Sequence, residues 1–130
     1  MLLFGDNLMS ASLDKVGGDT IFGKIIRKEI SAQIVYEDDD VLGFRDINPV
    51  APVHVLVIPK TPIQSVAHAL EGDALLLGKL LVAAAKIART EGLQEDGYRV
   101  VTNVGANAGQ SVFHLHLHVI GGRGMSWPPG

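Results

Sequence analysis

The segment His114-Leu115-His116-Leu117-His118-Val119-Ile120 constrains this chain more than any other, because it packs three of the five histidines into a strict alternation with apolar residues. In a β-strand successive side chains point to opposite faces. His114, His116 and His118 would then line one face, while Phe113, Leu115, Leu117 and Val119 line the other. One strand therefore supplies a core surface and a row of imidazoles.

The rest of the chain supplies partners for such a strand. Residues 1 to 18 show no sustained period, end at Gly17-Gly18 and read as a loose arm, leaving 19 to 130 as a single domain. Asp19 stands where it can accept the first free amides of a helix over Thr20 to Glu29, with Ile21, Ile25 and Lys28 about one turn apart and Phe22 and Ile26 beside them. Strands follow over Ile34 to Glu37, Val41 to Ile47 and His54 to Pro59. Asp38-Asp39-Asp40 forms the first turn, and Pro49 and Pro52 bracket the last connection.

From Glu71 to Glu91 the period becomes helical, with Leu70, Ala74, Leu77, Leu81, Ala84 and Ala88 marking a stripe. Glu71 and Asp73 stand near its start, Lys79, Lys86 and Arg89 come later, and Gly92 can end it, as the helix dipole and capping prefer. A strand over Tyr98 to Asn103, a glycine-bearing loop over 104 to 111 and the histidine strand over Val112 to Ile120 complete the order. It predicts an α+β fold with an antiparallel sheet. The tail from Gly121 to Gly130 is too rich in glycine and proline for regular structure. It carries Trp127, which calls for packing either within the chain or against a second subunit.

Composition removes several classes of function. The net charge of -3 over 130 residues offers no broad basic surface to nucleic acid or to an anionic membrane. With no cysteine, disulfides, thiolate metal sites and cysteine nucleophiles are excluded. No apolar run approaches the roughly 20 residues of a membrane span. The N-terminal Met1-Leu2-Leu3-Phe4 lacks a basic region ahead of it, so a cytoplasmic protein is the simplest expectation, with a nuclear one also open in a eukaryote.

Two chemistries suit the histidine row. Two imidazoles at i and i+2 can chelate one metal ion, but at about 3.3 Å per residue the outer pair lies roughly 13 Å apart along an extended strand, and zinc wants nitrogens at about 2.0 to 2.1 Å. The alternative is nucleophilic attack at phosphorus by a neutral imidazole whose far nitrogen is held by an acceptor, while its neighbours manage protons and charge. His54, at the head of another apolar strand, and Asn103, Ser111 and the loop glycines supply the small donors that an anionic group needs. His68 reads as exposed, at a boundary between loop and helix.

The stretch His114 to Ile120 resembles, without a gap, the motif of the histidine triad (HIT) superfamily of nucleotide hydrolases and transferases. The likeness extends over Gly17-Gly18-Asp19-Thr20-Ile21-Phe22-Gly23-Lys24-Ile25, Asp46-Ile47, Ala51-Pro52-Val53-His54, Gly109-Gln110-Ser111, Gly121-Gly122-Arg123 and Trp127-Pro128-Pro129-Gly130, which are similar to the histidine triad nucleotide-binding (Hint) branch. It implies a HIT-like fold of a five-stranded antiparallel sheet with two helices, joined in a homodimer into a continuous ten-stranded sheet, with each tail reaching toward the partner's site. It further implies hydrolysis of purine nucleoside 5′-phosphoramidates, of the AMP-amine or AMP-lysine type, without metal or cofactor.

Carried over by position, the resemblance makes His116 the nucleophile that forms a nucleotidyl-histidine, with the carbonyl of His114 holding its far nitrogen. His118, Ser111 and Asn103, with Gly109 in the same loop, would surround the phosphate and leaving group. His54 and His114 would relay or orient protons, and Asp46 would accept both ribose hydroxyls. Ile21, Phe22, Ile25, Phe44 and Ile47 would form the purine slot, though read without the family they are ordinary core residues. Trp127 would approach the partner's site. The third triad position is glutamine in the transferase branch, so His118 speaks for a hydrolase. Alternatives are a dinucleoside polyphosphate hydrolase, a purine-nucleotide-binding regulatory or scaffold protein, and a zinc enzyme.

Overall fold

The computed structural model describes residues 16–130, so the first fifteen residues of the expected arm lie outside the described residues. A helix α1 (Ile21–Ile26) precedes strands β1 (Ile34–Glu37), β2 (Val41–Arg45) and β3 (Val53–Pro59); helix α2 (Ala74–Thr90), β4 (Tyr98–Val101) and β5 (Leu117–Gly121) follow. The strands form one sheet in the order β1-β2-β3-β5-β4, and every neighbouring pair is antiparallel. This is the α+β architecture expected, a five-stranded antiparallel sheet with two helices.

The period of two along each strand divides the protein into two cores. Val41 on β2, Val55 and Val57 on β3, and Leu117 and Val119 on β5 face α2, where Leu80, Ala83, Ala84, Ile87 and Ala88 meet them. The alternate residues Leu42, Phe44, Leu56 and Ile58 pack with Phe22, Ile25 and Ile26 of α1 on the opposite face. Even-numbered positions of β2, β3 and β5 thus share the α1 face. That parity gathers Asp46, His54 and His118 beyond or within the strands that carry them.

Helix α1 is shorter than the sequence predicts, and Asp19 does not cap it: the N-cap is Thr20, whose side chain makes no capping bond. It stops before Lys28, which turns left-handed at φ 64 and donates its Nζ to Glu37 instead of extending the apolar face. What holds the helix is its start. Gly17 and Gly18, at φ 80 and 85, fold back so that their carbonyls lie against Gly23, and Arg27 Nη1 donates to the carbonyls of Val16 and Gly18, both at 2.7 Å.

The long helix also departs from the expected stripe. A single 3₁₀ turn over Glu71–Asp73 precedes it, and Leu70 and Leu81 are 76% and 57% exposed, while Leu80, Ala83 and Ile87 are buried. Leucine and valine occur on most sides of this helix, so spacing alone cannot choose the buried face. The sheet chooses it, because Gly43 admits Ile87 where a Cβ would stand 2.8 Å from the Ile87 Cδ1. Gly92, at φ 75, ends the helix as expected.

Strand β2 ends at Arg45 rather than Ile47, because the Asp46 Oδ1 accepts the Asn48 amide at 2.8 Å and turns the chain. Strand β4 likewise stops short of Asn103, and Thr102 donates its hydroxyl to the His116 carbonyl. The largest correction concerns β5. It begins at Leu117, so His114 and His116 precede the strand and only His118 belongs to it. The ladder with β3 starts at Val57 opposite Leu117; before it, the Leu115 amide bonds the Ile63 carbonyl at 2.6 Å, outside any strand. Leu115, Leu117 and Val119 still enter the core, whereas Phe113, expected with them, is 52% exposed.

Gly23 gives a test with a definite sign. Alanine normally stabilises a helix relative to glycine, but a Cβ at Gly23 would overlap the carbonyl of Gly18. Gly23→Ala is expected to destabilise by roughly 1–3 kcal/mol in urea unfolding; a gain in stability would show that α1 is not packed on this turn.

Candidate active site

On the α1 face a cleft of about 540 Å³ opens between α1, the end of β2 and the histidine segment. Its apolar wall holds Ile21, Phe22, Ile25, Phe44 and Ile47, and its polar wall Asp46, His54, Ser111, His116 and His118. The volume lies within the roughly 300–1,000 Å³ usual for small-molecule sites. Phe22 is its hinge point, meeting Phe44 edge to face at 5.5 Å and His116 at 5.1 Å between ring centroids. Ile47 is 90% exposed, so the apolar slot is open on that side.

Register explains how distant residues converge. Arg45 pairs with Val55, which sets Asp46 beside His54, and the Asp46 amide donates to the His54 carbonyl at 3.0 Å. On β5, His118 pairs with Leu56 and Ile120 with His54, so His54 and His118 are diagonal neighbours on one face. Their ring centroids are 5.1 Å apart, and His118 stands 5.0 Å from His116.

Hydrogen bonds assign the tautomers. An amide can only donate, so the Val50 N–H at 3.2 Å from His54 Nδ1 leaves the neutral ring's proton on Nε2. His54 Nε2–H then donates to His118 Nδ1 at 2.8 Å, with the Asp46 carboxylate 3.5 Å away. His118 must carry its proton on Nε2, a buried atom with no hydrogen-bond partner among the described residues. His116 is set from the other side: its Nδ1 donates to the His114 carbonyl at 2.7 Å, which leaves a lone pair on Nε2.

The same enclosure disfavours the charged forms of His54, His114 and His118. Burial, reinforced by His116 and His54 and opposed by Asp46, pushes His118 down to about 4. Burial also lowers His54 against the pull of Asp46, and lowers His114 against its bond to the Pro59 carbonyl. At neutral pH His118 therefore offers a hydrogen bond, not a charge.

Not every anticipated residue reaches the cleft wall. His114 lies behind it, 1% exposed, with Nε2 donating to the Pro59 carbonyl at 2.8 Å, where it fixes the lead-in to β5. Asn103 and Gly109 are outside the lining, and Trp127 is 81% exposed, so packing within the chain does not account for it. The loop before the histidines is held by buried Gln110, whose Oε1 accepts the Gly105 amide while Nε2 donates to the carbonyls of Gln64 and Val112. Ile30, Ser31, Ala32 and Val112 also line the cleft. Sequence reasoning missed the first three because they follow α1 in irregular backbone, where no period marks a face.

Asp46, His54 and His118 offer three ligand atoms within 4.8 Å of one another. A cleft walled by aromatics and aliphatics, floored by neutral imidazoles and fed by one carboxylate defines a small-molecule site on an α+β sheet. Comparison with known proteins places it. The HIT domain model matches residues 27–125, and the chain belongs to the HIT family. It is 59% identical over 112 residues to an uncharacterised HIT-like protein of Synechococcus elongatus, covering 86% of this chain and 97% of that one. It is 56% identical over 113 residues to a 14 kDa zinc-binding protein of Zea mays, covering 85% of this chain and 88% of that protein. The crystal structure of a HIT family hydrolase from Legionella pneumophila superposes with a TM-score of 0.84 at 49% identity, covering 86% of this chain and all of the other.

The lowered histidines bear on stability. The unfolded chain binds a proton on histidine below about 6.5, whereas folded His118 resists protonation to about 4. Stability is thus full above the unfolded value and falls as pH drops through this window, with His54 and His114 acting in the same direction. Urea unfolding at pH 7.0, 5.5 and 4.5 is expected to show a loss on the order of a few kcal/mol, reduced in His118→Asn. A flat profile would mean that the imidazoles are not desolvated.

Proposed function

We propose that this protein hydrolyses purine nucleoside 5′-phosphoramidates to a nucleoside monophosphate and a free amine. The observation that carries the reading is the 2.7 Å bond from His116 Nδ1 to the His114 carbonyl, which orients the ring and leaves Nε2 as the nitrogen free for attack beside a cleft with apolar and polar walls. Attack by that nitrogen on phosphorus breaks the P–N bond, and the departing amine takes up a proton from solvent, which the water of the second step returns. Water then cleaves the nucleotidyl-histidine, releasing the monophosphate and restoring the imidazole. A built-in nucleophile avoids assembling water and substrate together in the first step.

The other side chains have matching tasks. His118 Nε2–H and the Ser111 hydroxyl would donate to phosphoryl oxygens as charge shifts onto them. Asp46, half-buried beside His54, would accept the ribose hydroxyls, and the purine would lie between the Phe22–Phe44 pair and Ile21, Ile25 and Ile47.

A homodimer belongs to this reading. Strand β4 pairs only with β5, so its other edge is open among the described residues, and Tyr98 and Val100 on it are exposed. Leu75, Leu81 and Val82 add an apolar strip on the outer side of α2. Edge pairing of β4 with its copy would cover both and set the exposed Trp127 near the second subunit. Sedimentation is expected to give a dimer; a monomer at micromolar concentration would remove Trp127 from the site.

A second reading takes the maize relative's zinc as its cue. The separations of 2.8 Å between His54 Nε2 and His118 Nδ1 and 3.5 Å between His54 Nε2 and Asp46 Oδ2 do bracket the roughly 3.3 Å edge of a tetrahedral zinc site. Protonation does not fit. A metal would need the His54 Nε2 lone pair, which the Val50 amide on Nδ1 assigns to a proton. No step is therefore routed through zinc, and activity is expected to survive exhaustive chelation.

Turnover of a fluorogenic adenosine phosphoramidate against diadenosine polyphosphates tests the substrate class. Fast cleavage of the latter alone would favour a dinucleoside polyphosphate hydrolase, and AMP binding with no turnover of either a regulatory nucleotide-binding protein. His116→Ala is expected to lower phosphoramidate turnover by about 10⁴-fold or more while AMP still binds; retained activity would remove His116 as the nucleophile.

A further inference from the structure

The C-terminal segment reaches the loop before β3 through Arg123. Just after β5, Gly122 turns at φ 92 so closely over the loop before β3 that a Cβ there would sit 2.9 Å from the Pro52 Cβ. This lays Arg123 across the same loop, where its Nε donates to the Val50 carbonyl at 3.0 Å. Its Nη1 donates to the Gly124 carbonyl at 3.0 Å, so the guanidinium is fixed on its own segment while it holds the loop. Val50 is the residue whose amide meets His54 Nδ1 at 3.2 Å. The residue is thus held at both ends, by Arg123 on its carbonyl and by His54 on its amide.

We infer that Arg123 is a positioning residue, which holds the Val50 amide on His54 Nδ1 and so fixes the tautomers that leave the proton of His118 on Nε2. The path runs over three hydrogen bonds, of 3.0, 3.2 and 2.8 Å. Each link is directional. Without the Val50 amide, His54 can place its proton on either nitrogen. In the Nδ1–H form its Nε2 becomes an acceptor, His118 Nδ1 must then carry the proton, and the donor on His118 Nε2 is lost. The loop has little else to hold it: Val50 is 54% exposed and flanked by Pro49, which has no amide to donate. The bonds from the Asp46 amide to the His54 carbonyl and from the Asn48 amide to Asp46 Oδ1 fix the ends of this loop and not Val50 itself.

The inference rests on the reading of His118 as a donor at the phosphoryl site, and its test has one arm that does not. Imidazole ¹⁵N spectra at neutral pH report which ring nitrogen carries the proton. In the full-length protein His54 is expected as a single Nε2–H form; in Arg123→Ala it is expected to mix the two forms, as the loss of one hydrogen bond shifts such an equilibrium by about fivefold. With adenosine phosphoramidate as substrate, kcat is expected to fall by up to about twofold in Arg123→Ala, in step with the fraction of His54 that leaves the Nε2–H form, with KM nearly unchanged. Arg123→Lys, which keeps one donor in reach of the Val50 carbonyl, should recover part of both. Thermal unfolding of each variant checks that the fold is intact. A single Nε2–H form of His54 in Arg123→Ala overturns the inference, as does a mixed form with unaltered kcat in an active enzyme. If the parent protein does not cleave phosphoramidates, the proposed function fails on that result alone, while the spectra still decide whether Arg123 sets the tautomer.

Discussion

The antiparallel register of β2, β3 and β5 is the constraint on which the rest of this molecule depends. With Arg45 opposite Val55 and Leu56 opposite His118, the pleat sends Val41, Val55, Val57, Leu117 and Val119 to α2 and their alternates to α1. The same parity brings Asp46, His54 and His118 together on the α1 side. A slip of one residue in any of these strands would exchange the two faces, bury the polar groups under α2 and turn the valines toward α1. Packing and site are therefore enforced by one interaction, because the valines that fill one core cannot be satisfied without placing the histidines in the other.

Enclosure then does chemical work. Imidazoles held this close, in a cleft walled by Phe22, Phe44 and aliphatic side chains, cannot all take up protons. Burial holds His54, His114 and His118 below their ordinary values, with repulsion from neighbouring imidazoles added at His114 and His118. Neutral rings have distinct donor and acceptor nitrogens, so backbone groups can assign them: the Val50 amide on one side, the carbonyls of His114 and Pro59 on the other. The result is a directional set of hydrogen bonds in which His116 keeps a lone pair and His118 keeps a proton. The proposed reaction would use both, the lone pair for attack and the proton as a donor for developing negative charge.

Much of the architecture was legible before any coordinates, and the gaps follow a rule. Strand β1 and the turn at Asp38 come directly from a run of strand-forming residues and from a carboxylate that accepts the amides of Asp40 and Val41. The end of α2 follows from Gly92. What failed was any feature whose pattern admits two answers. Helix α2 is apolar on too many sides for spacing to choose between Leu80 and Leu81. The ends of β2, β4 and β5 are set by hydrogen bonds from Asn48, Thr102 and Leu115 to atoms that propensity cannot see. The early end of α1 depends on Lys28 accepting a left-handed conformation that residues other than glycine seldom adopt.

For the site, the sequence by itself offered the candidate residues: an alternating histidine run, and a resemblance that named Asp46 and His54 as its partners. Parity is local, because the chain has a period of two in any strand, and so it survives without knowledge of the fold. The protonation pattern is not local. Only the tertiary structure decided that the Val50 amide meets His54, that His114 withdraws behind the cleft, and that Arg123 closes over the loop. Those contacts join segments far apart in the chain, and a tautomer is fixed by whichever donor or acceptor folding brings to each nitrogen.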